Sequence, residues 1–267
     1  MMPGTLTRFW LSLLLGSLAL AVTGCNGIAK SNSDQSSLAQ GNWSLAASSS
    51  NPGIGTFQVG GNLVQNGDGI SATMYVSGSL CFDVSQPVLL TGAVKDRQVT
   101  LTSANVNGQV LSVVATETTA SAMNGTYTIT GGCGSGDYGT VVANAVPSIS
   151  GTWSGTVIGS GGSNVSLSVA LTQAGNAAAD GTFALTGNIT YTGSSCSVSG
   201  TVTDAFIVGS YILMNGNTNE RDGSGGSFSY DNVLLNDSQN PKNMTGTYLV
   251  DFGLCAGDVQ TLTLNRQ

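Results

Sequence analysis

The sequence has no histidine and very little charge. None of its 267 residues is His, and only 8% are charged, against about a quarter in an ordinary soluble domain. The absence of His excludes Ser–His–Asp triads, His-ligated zinc sites and the usual pH switch of proteins. Only seven residues are basic, against 14 acidic ones, and they are scattered singly. Since no basic patch is available to neutralise phosphates, nucleic acid is not an expected partner.

Motifs for covalent catalysis are also missing. The sequence contains no Gly-x-Ser-x-Gly elbow and no Ser-x-x-Lys pair. Carboxylates that could act in pairs are Glu220 with Asp222, and Asp180 with Asp204, and they lie in Gly- and Asn-rich segments. Asp is common in such segments because its side chain hydrogen-bonds the turn backbone. We therefore predict no catalytic residue, no metal and no cofactor, and keep a carboxylate-dependent hydrolase as an alternative.

Residues 1–24 have the features of a targeting segment. One cation, Arg8, precedes an apolar run over 9–22, which is short for a membrane span. The run ends in Val22-Thr23-Gly24-Cys25, which resembles the lipobox of bacterial lipoproteins. The resemblance implies that Cys25 receives a diacylglyceryl thioether, becomes the N-terminus after cleavage and is then N-acylated.

The implied acyl chains make the membrane a partner of this protein. Each buried CH₂ contributes about 0.8 kcal/mol, and two or more chains hold a protein stably. Residue 26 is Asn and not the Asp that resembles an inner-membrane retention signal, so the resemblance implies the outer membrane of a bacterial envelope. Residues 25–40 are then a lipidated cysteine and a polar, flexible tether spanning roughly 20 Å.

The remainder of the chain is a duplication. Three landmarks recur in the same order, with a period of about 110–120 residues, too long for a solenoid repeat. They are Gly41-Asn42-Trp43-Ser44 and Gly151-Thr152-Trp153-Ser154, Leu63-Val64-Gln65-Asn66-Gly67 and Leu171-Thr172-Gln173-Ala174-Gly175, and Met123-Asn124-Gly125-Thr126-Tyr127 and Met244-Thr245-Gly246-Thr247-Tyr248. We predict two modules, at 41–142 and 151–267, joined by a linker at 143–150.

The cysteines follow the same duplication. With Cys25 as the lipid anchor, four cysteines remain for an oxidising compartment. Four cysteines allow three pairings, and pairing within each module respects the repeat. We predict Cys81 with Cys133 and Cys196 with Cys255, each closing a loop of roughly 50–60 residues and contributing about 4 kcal/mol.

Both modules have the pattern of an all-β fold. Short runs rich in Thr, Val and Tyr, several of them alternating polar and apolar residues, are separated by Gly, Asn, Asp and Ser clusters. In the second module, 206–214 is predicted as one strand and 215–226 as a turn region. About eight antiparallel strands in each module favour a small closed barrel, which leaves no exposed sheet edge. A β-sandwich is the alternative.

Matched aromatic residues add a second resemblance. Gly41 and Trp43, Gly151 and Trp153, and the Gly-Thr-Tyr triplets ending at Tyr127 and Tyr248 resemble the lipocalin and avidin superfamily of barrels. The resemblance implies that each tryptophan packs across the closed end of a barrel. Trp43, Trp153, Tyr127 and Tyr248 are therefore expected in the core or along a barrel cavity. No arginine is evident in the sequence at a position that would cap either tryptophan.

These features favour a non-catalytic envelope lipoprotein that binds a small ligand or an envelope protein. A structural or adhesive surface protein is the alternative, and it would have filled barrels. A hollow barrel would favour a carrier of small apolar molecules.

The anchor assignment predicts that Cys25→Ala releases the protein from membranes, because no thiol remains to carry the lipid. Fractionation of cells into membrane and soluble parts measures this. Retention of the variant in the membrane fraction would contradict the assignment.

Overall fold

The structure is a computed structural model that describes residues 37–79, 81–82, 85–159 and 162–267. The predicted targeting segment, Cys25 and most of the predicted tether lie outside the described residues. Within the described residues, no helix is long and apolar enough to cross a membrane.

Eight antiparallel strands of the first module form a closed barrel in simple up-and-down order. The pairing of its first strand with its last closes it, with Trp43 opposite Ala145. The strands are β1 (Gly41–Ser49), β2 (Thr56–Asn66), β3 (Gly69–Ser77), β4 (Val88–Lys95), β5 (Gln98–Ser103), β6 (Val110–Thr119), β7 (Ala122–Thr130) and β8 (Tyr138–Ala145).

The second module repeats this architecture. Its barrel closes where its last strand pairs with its first, with Arg266 opposite Trp153. The strands are β9 (Gly151–Ile158), β10 (Asn164–Gln173), β11 (Phe183–Thr192), β12 (Ser197–Val208), β13 (Tyr211–Glu220), β14 (Gly225–Leu235), β15 (Asn243–Phe252) and β16 (Val259–Arg266). The prediction of two tandem eight-stranded antiparallel barrels is confirmed, and the sandwich alternative is wrong.

Side chains fill both barrels. Burial alternates along the strands, as in the pattern eBeBeBeBei of β10, because successive side chains point to opposite faces of a sheet. Each inward set forms its own cluster of buried hydrophobic residues. Trp43 and Trp153 are 0% exposed, and Tyr127 and Tyr248 are buried as well. Each barrel therefore closes on itself around its own core.

A short lead-in segment seals the tryptophan end of each barrel. The indole Nε1 of Trp43 donates to the carbonyl of Ala39 at 2.7 Å, and that of Trp153 donates to the carbonyl of Ile149 at 2.9 Å. The matched glutamines hold the same segments: Gln65 Oε1 accepts from the Leu38 N–H, and Gln173 Oε1 accepts from the Ile149 N–H. The repeated Trp and Gln thus hold equivalent lead-in segments at the same end of each barrel.

An arginine does cap one tryptophan, contrary to the sequence prediction. The guanidinium carbon of Arg266 lies 5.5 Å from the ring centroid of Trp153, within cation–π range. Its Nη2 donates to the carbonyls of Ser150 at 2.8 Å and Ser148 at 3.4 Å. This contact could not be predicted from the sequence because Arg266 reaches Trp153 only when β16 closes the barrel against β9.

The disulfides lie at the opposite end of each barrel. Cys81, after β3, joins Cys133, after β7, with Cα atoms 5.4 Å apart. Cys196, before β12, joins Cys255, after β15, with a Cα separation of 6.0 Å. Both separations suit a disulfide, and both bridges tie the loop between the third and fourth strands to that between the seventh and eighth.

Two predictions for the second module are wrong. The predicted strand 206–214 is a hairpin, in which Gly209 and Ser210 turn the chain between β12 and β13. The turn has only two residues, and the residues on both sides of it are apolar, so the sequence pattern resembles that of a single strand. The predicted turn region 215–226 is mostly strand, because its Asn side chains face outward while Gly216, Thr218 and Glu220 face the interior.

The tip of this hairpin docks the second barrel onto the first. Asn42 Nδ2 donates to the carbonyl of Gly209 at 2.9 Å, and the Gly209 N–H donates to Asn42 Oδ1 at 2.7 Å. Gly209 has a positive φ of 57°, and a Cβ on Gly60 would lie 2.6 Å from the Gly209 Cα. The two hydrogen bonds of the Asn42 amide hold the barrels together, and the absence of a Cβ on Gly60 and Gly209 lets their backbones approach closely. We call this contact the Asn42–Gly209 clamp.

Asn42→Ala leaves the N–H and carbonyl of Gly209 buried without their partners, which costs about 1–3 kcal/mol. We expect a loss of that size in the free energy of unfolding, measured by urea denaturation. Asn124, an exposed residue of β7, provides the matched control. Equal losses in Asn42→Ala and Asn124→Ala would contradict the clamp.

Candidate functional site

A cavity of about 540 Å³ lies between the two barrels, next to the clamp. We call it the interbarrel groove. One wall comes from the outer face of β1–β3 and includes Ser44, Gln58, Gly60, Tyr75 and Ser77. The other wall comes from the second barrel and includes Asp180, Thr182, Phe206, Tyr211, Asn232 and Leu234. Interfaces between domains are a common place for ligand sites.

The β12–β13 hairpin supplies the apolar part of the groove. Ile207 belongs to the core of the second barrel, so its neighbours Phe206 and Val208 point outward by strand alternation. Val208 is buried, whereas Phe206 and Tyr211 are half-buried. The two rings therefore present partly open apolar surface to the groove.

Tyr75 and Asp180 meet across the boundary between the barrels. The Tyr75 hydroxyl donates to Asp180 Oδ2 at 3.4 Å. Asp180 Oδ1 accepts from the Thr182 N–H at 3.1 Å and from its hydroxyl at 2.8 Å. Burial favours the neutral acid, but these hydrogen bonds outweigh it and hold the pKa of Asp180 below its usual range. Asp180 is therefore a carboxylate at neutral pH.

The two tyrosines of the groove are neutral phenols at neutral pH. Burial raises the pKa of Tyr75, and the nearby charge of Asp180 raises it further. Burial likewise raises the pKa of Tyr211, and the nearby charge of Asp231 adds to the effect. Both hydroxyls thus retain a proton to donate.

Asn232 has a left-handed backbone, with a φ of 53°. It lies in an irregularity of the β14–β15 pairing between Asp231 and Leu234. Asn tolerates this conformation better than most residues, and such irregularities redirect side chains next to binding sites. The irregularity brings Asn232 and Leu234 to the rim of the groove.

A second, larger cavity of about 900 Å³ lies around the linker. Its lining is dominated by small and polar residues, such as Thr118, Ser121, Ala145 and Ser148, and includes one aromatic residue, Phe183. Phe183 belongs to the core of the second barrel. The interbarrel groove has the more apolar lining and three aromatic rings against one, and is therefore the stronger candidate.

The aromatic residues selected from the sequence line neither of these cavities. Trp43, Trp153, Tyr127 and Tyr248 are core residues, and Tyr127 stacks edge-on with Phe57 at 5.1 Å between ring centroids. The Tyr127 hydroxyl donates to Asp137 Oδ2 at 2.8 Å.

A polar cluster occupies the disulfide end of the second barrel. The hydroxyls of Tyr191 and Tyr248 lie 3.0 Å apart, and a cavity of about 30 Å³ adjoins them. Glu220 is 4% exposed, and its Oε1 accepts from the hydroxyls of Ser197 at 3.1 Å and Thr218 at 2.5 Å. Burial raises the pKa of Tyr191 well above its usual range and that of Tyr248 to about 12. The cavity is large enough for about one water molecule.

The predicted carboxylate pairs are not brought together in the groove. Asp180 lines it, whereas Asp204 is an exposed residue of β12 outside its lining. Glu220 points into the second barrel, whereas Asp222 lies in an exposed turn and accepts from the Ser224 hydroxyl at 2.6 Å. Among the residues that the structure describes, no cluster of His, Cys, Asp or Glu could hold a metal ion.

Comparison of this chain with protein-family models, with curated proteins and with solved structures found no match.

Sequence reasoning missed most of the groove. Tyr75, Phe206, Tyr211 and Asn232 are outward residues of different strands, and nothing in their sequence spacing connects them. Asp180 was singled out only as a possible half of a carboxylate pair. The available signal was Gly209-Ser210, which divides an apolar run and marks a hairpin tip.

Tyr127→Phe tests the buried tyrosine–carboxylate contact of the first barrel. Asp137 is 5% exposed, so losing this donor lowers the free energy of unfolding by about 1–3 kcal/mol at neutral pH. Burial, followed by the hydrogen bond to Asp137, raises the Tyr127 pKa from 10.0 to about 12. Its contribution is therefore complete below pH 10 and is lost as the pH rises to about 12.

Urea denaturation across this pH range measures both effects. Tyr127→Phe should reduce the loss of stability at alkaline pH, whereas Tyr138→Phe, at an exposed position of β8, should leave it unchanged. An alkaline loss that is equally steep in Tyr127→Phe and in the unsubstituted protein would contradict the assignment.

Proposed function

We propose that this protein is a lipid-anchored binding protein of a bacterial envelope, and that it holds a small ligand in the interbarrel groove without transforming it. The groove between the outer faces of the two barrels, which places apolar surface beside a few polar groups, carries this proposal. Over the described residues both barrels are filled by their own side chains, which does not favour a ligand inside either of them. Ligand space is found instead where the outer faces of the barrels meet.

The chemistry of the groove supports ligand binding. Exposed contiguous apolar surface on a soluble domain commonly marks an interaction site, and binding pockets combine such surface with a few oriented polar groups. Phe206, Tyr211 and Leu234 provide the apolar surface, and Asp180 and Asn232 provide the polar groups.

The carboxylates support a non-catalytic role. Glycoside hydrolysis in most families requires two carboxylates flanking the substrate, and Asp180 is the one acidic residue in the described lining of the groove. A carboxylate-dependent hydrolase would need a second acid at this site.

The membrane anchor rests on the lipobox resemblance at Cys25, and the disulfides agree with an oxidising compartment. The tether would join the first barrel through the lead-in segment that includes Leu38 and Ala39, at the tryptophan end.

A structural or adhesive protein is the second candidate, because its barrels would be filled as these are. The groove distinguishes the candidates: a purely structural protein needs no ligand there.

Binding of the neutral dye Nile red to chain 26–267, which contains both closed barrels, tests the proposal. Leu234 in the groove is 48% exposed, and Leu89 on β4, outside its lining, is 54% exposed. We expect Leu234→Ser to weaken dye binding roughly tenfold through lost apolar contact, and Leu89→Ser to leave it unchanged. Fluorescence titration measures both. Equal effects of the two substitutions, or no dye binding at all, would contradict the groove as a ligand site.

A further inference from the structure

Over the residues that the structure describes, the polar lining of the interbarrel groove is neutral apart from one carboxylate. It consists of side-chain amides and hydroxyls, such as those of Gln58, Asn232, Ser77 and Thr182, together with Asp180. No Lys or Arg is present in the described lining. In the described lining, a phosphate, sulfate or carboxylate ligand would find no cation and would face the charge of Asp180, so the lining favours a neutral ligand over an anionic one.

Three aromatic rings are distributed over the two walls. Tyr75 belongs to the first barrel, whereas Phe206 and Tyr211 belong to the second, and all three are half-buried. Half-buried rings offer an amphipathic ligand a flat apolar face, and tyrosine adds a polar edge. The ligand that fits this arrangement has apolar faces and a polar rim.

The polar groups beside these rings suit hydroxyl partners. An ionised carboxylate accepts hydrogen bonds only, whereas an amide both donates and accepts. Asp180 Oδ1 already accepts from Thr182, and this contact fixes the direction of the carboxylate. Asn232, held at the rim by its left-handed backbone, can donate to one hydroxyl and accept from another.

A pyranose ring has both of the required features, since its C–H groups form an apolar face and its hydroxyls surround the edge. A quaternary ammonium also binds aromatic faces beside a carboxylate, but it would leave most of the amides and hydroxyls without a function. The cavity of about 540 Å³ is in the range of ordinary ligand sites and would hold about two or three sugar rings.

We infer that the interbarrel groove binds a neutral oligosaccharide, with Tyr75, Phe206 and Tyr211 against the sugar faces and Asp180 and Asn232 hydrogen-bonded to its hydroxyls. This inference rests on the proposed function and specifies its ligand class.

Isothermal titration of chain 26–267 with three neutral trisaccharides, maltotriose, cellotriose and tri-N-acetylchitotriose, tests the inference. We expect at least one to bind with a Kd below about 10 mM. Tyr211→Ala should weaken that binding at least tenfold, whereas Tyr138→Ala, at an exposed tyrosine outside the groove lining, should not. Asp180→Asn should weaken it similarly, whereas Asp204→Asn, at an exposed aspartate of β12, should not.

Three results would overturn the inference. One is that none of the trisaccharides binds. Another is that binding occurs but is unaffected by Tyr211→Ala and Asp180→Asn. The third is that tetramethylammonium binds in an Asp180-dependent way while the sugars do not, which would make the groove a cation site. If Nile red still binds in a Leu234-dependent way, the ligand class alone is wrong. If the dye does not bind either, the proposed function fails as well.

Discussion

The interbarrel groove depends on the contact between Asn42 and the backbone of Gly209, which holds the two barrels together beside it. Each barrel is complete in itself, with a closed sheet and, over the residues that the structure describes, a core filled by its own side chains. The interbarrel groove arises from how the barrels are placed side by side. The buried Asn42 amide donates to the carbonyl and accepts from the N–H of the same residue, Gly209, and so fixes distance and direction together, which a purely apolar contact does not do. The groove depends on this geometry.

The two barrels dock through surfaces that are not equivalent in the two modules. Equivalent strands form both barrels, and the Trp, Gln and Cys landmarks have the same roles in each. The docking contact departs from the repeat: Asn42 of β1 corresponds to Thr152 of β9, and its partner is a hairpin tip in the other barrel. The modules have therefore diverged at their mutual surface while their cores remain alike, and the groove belongs to that diverged surface.

The fold was predictable because its signals are local or repeated. Strand alternation, turn clusters and matched landmarks indicated two eight-stranded modules, and one disulfide per module followed from the repeat. The hairpin at Gly209 was missed because apolar residues on both sides hide a two-residue turn. Arg266 was missed because only barrel closure brings it to Trp153. The groove was not predictable, since its walls come from outward positions of separate barrels, and no sequence spacing records how two closed sheets dock.

The Asn42–Gly209 clamp is expected to hold the two barrels at one mutual orientation and so to define a fixed groove. Residual dipolar couplings of backbone N–H groups test this most directly, because they report the orientation of every peptide in a common frame. The account predicts that a single alignment tensor fits the couplings of β1–β8 and β9–β16 together. Two different tensors, one for each barrel, would show independent reorientation and would contradict the account.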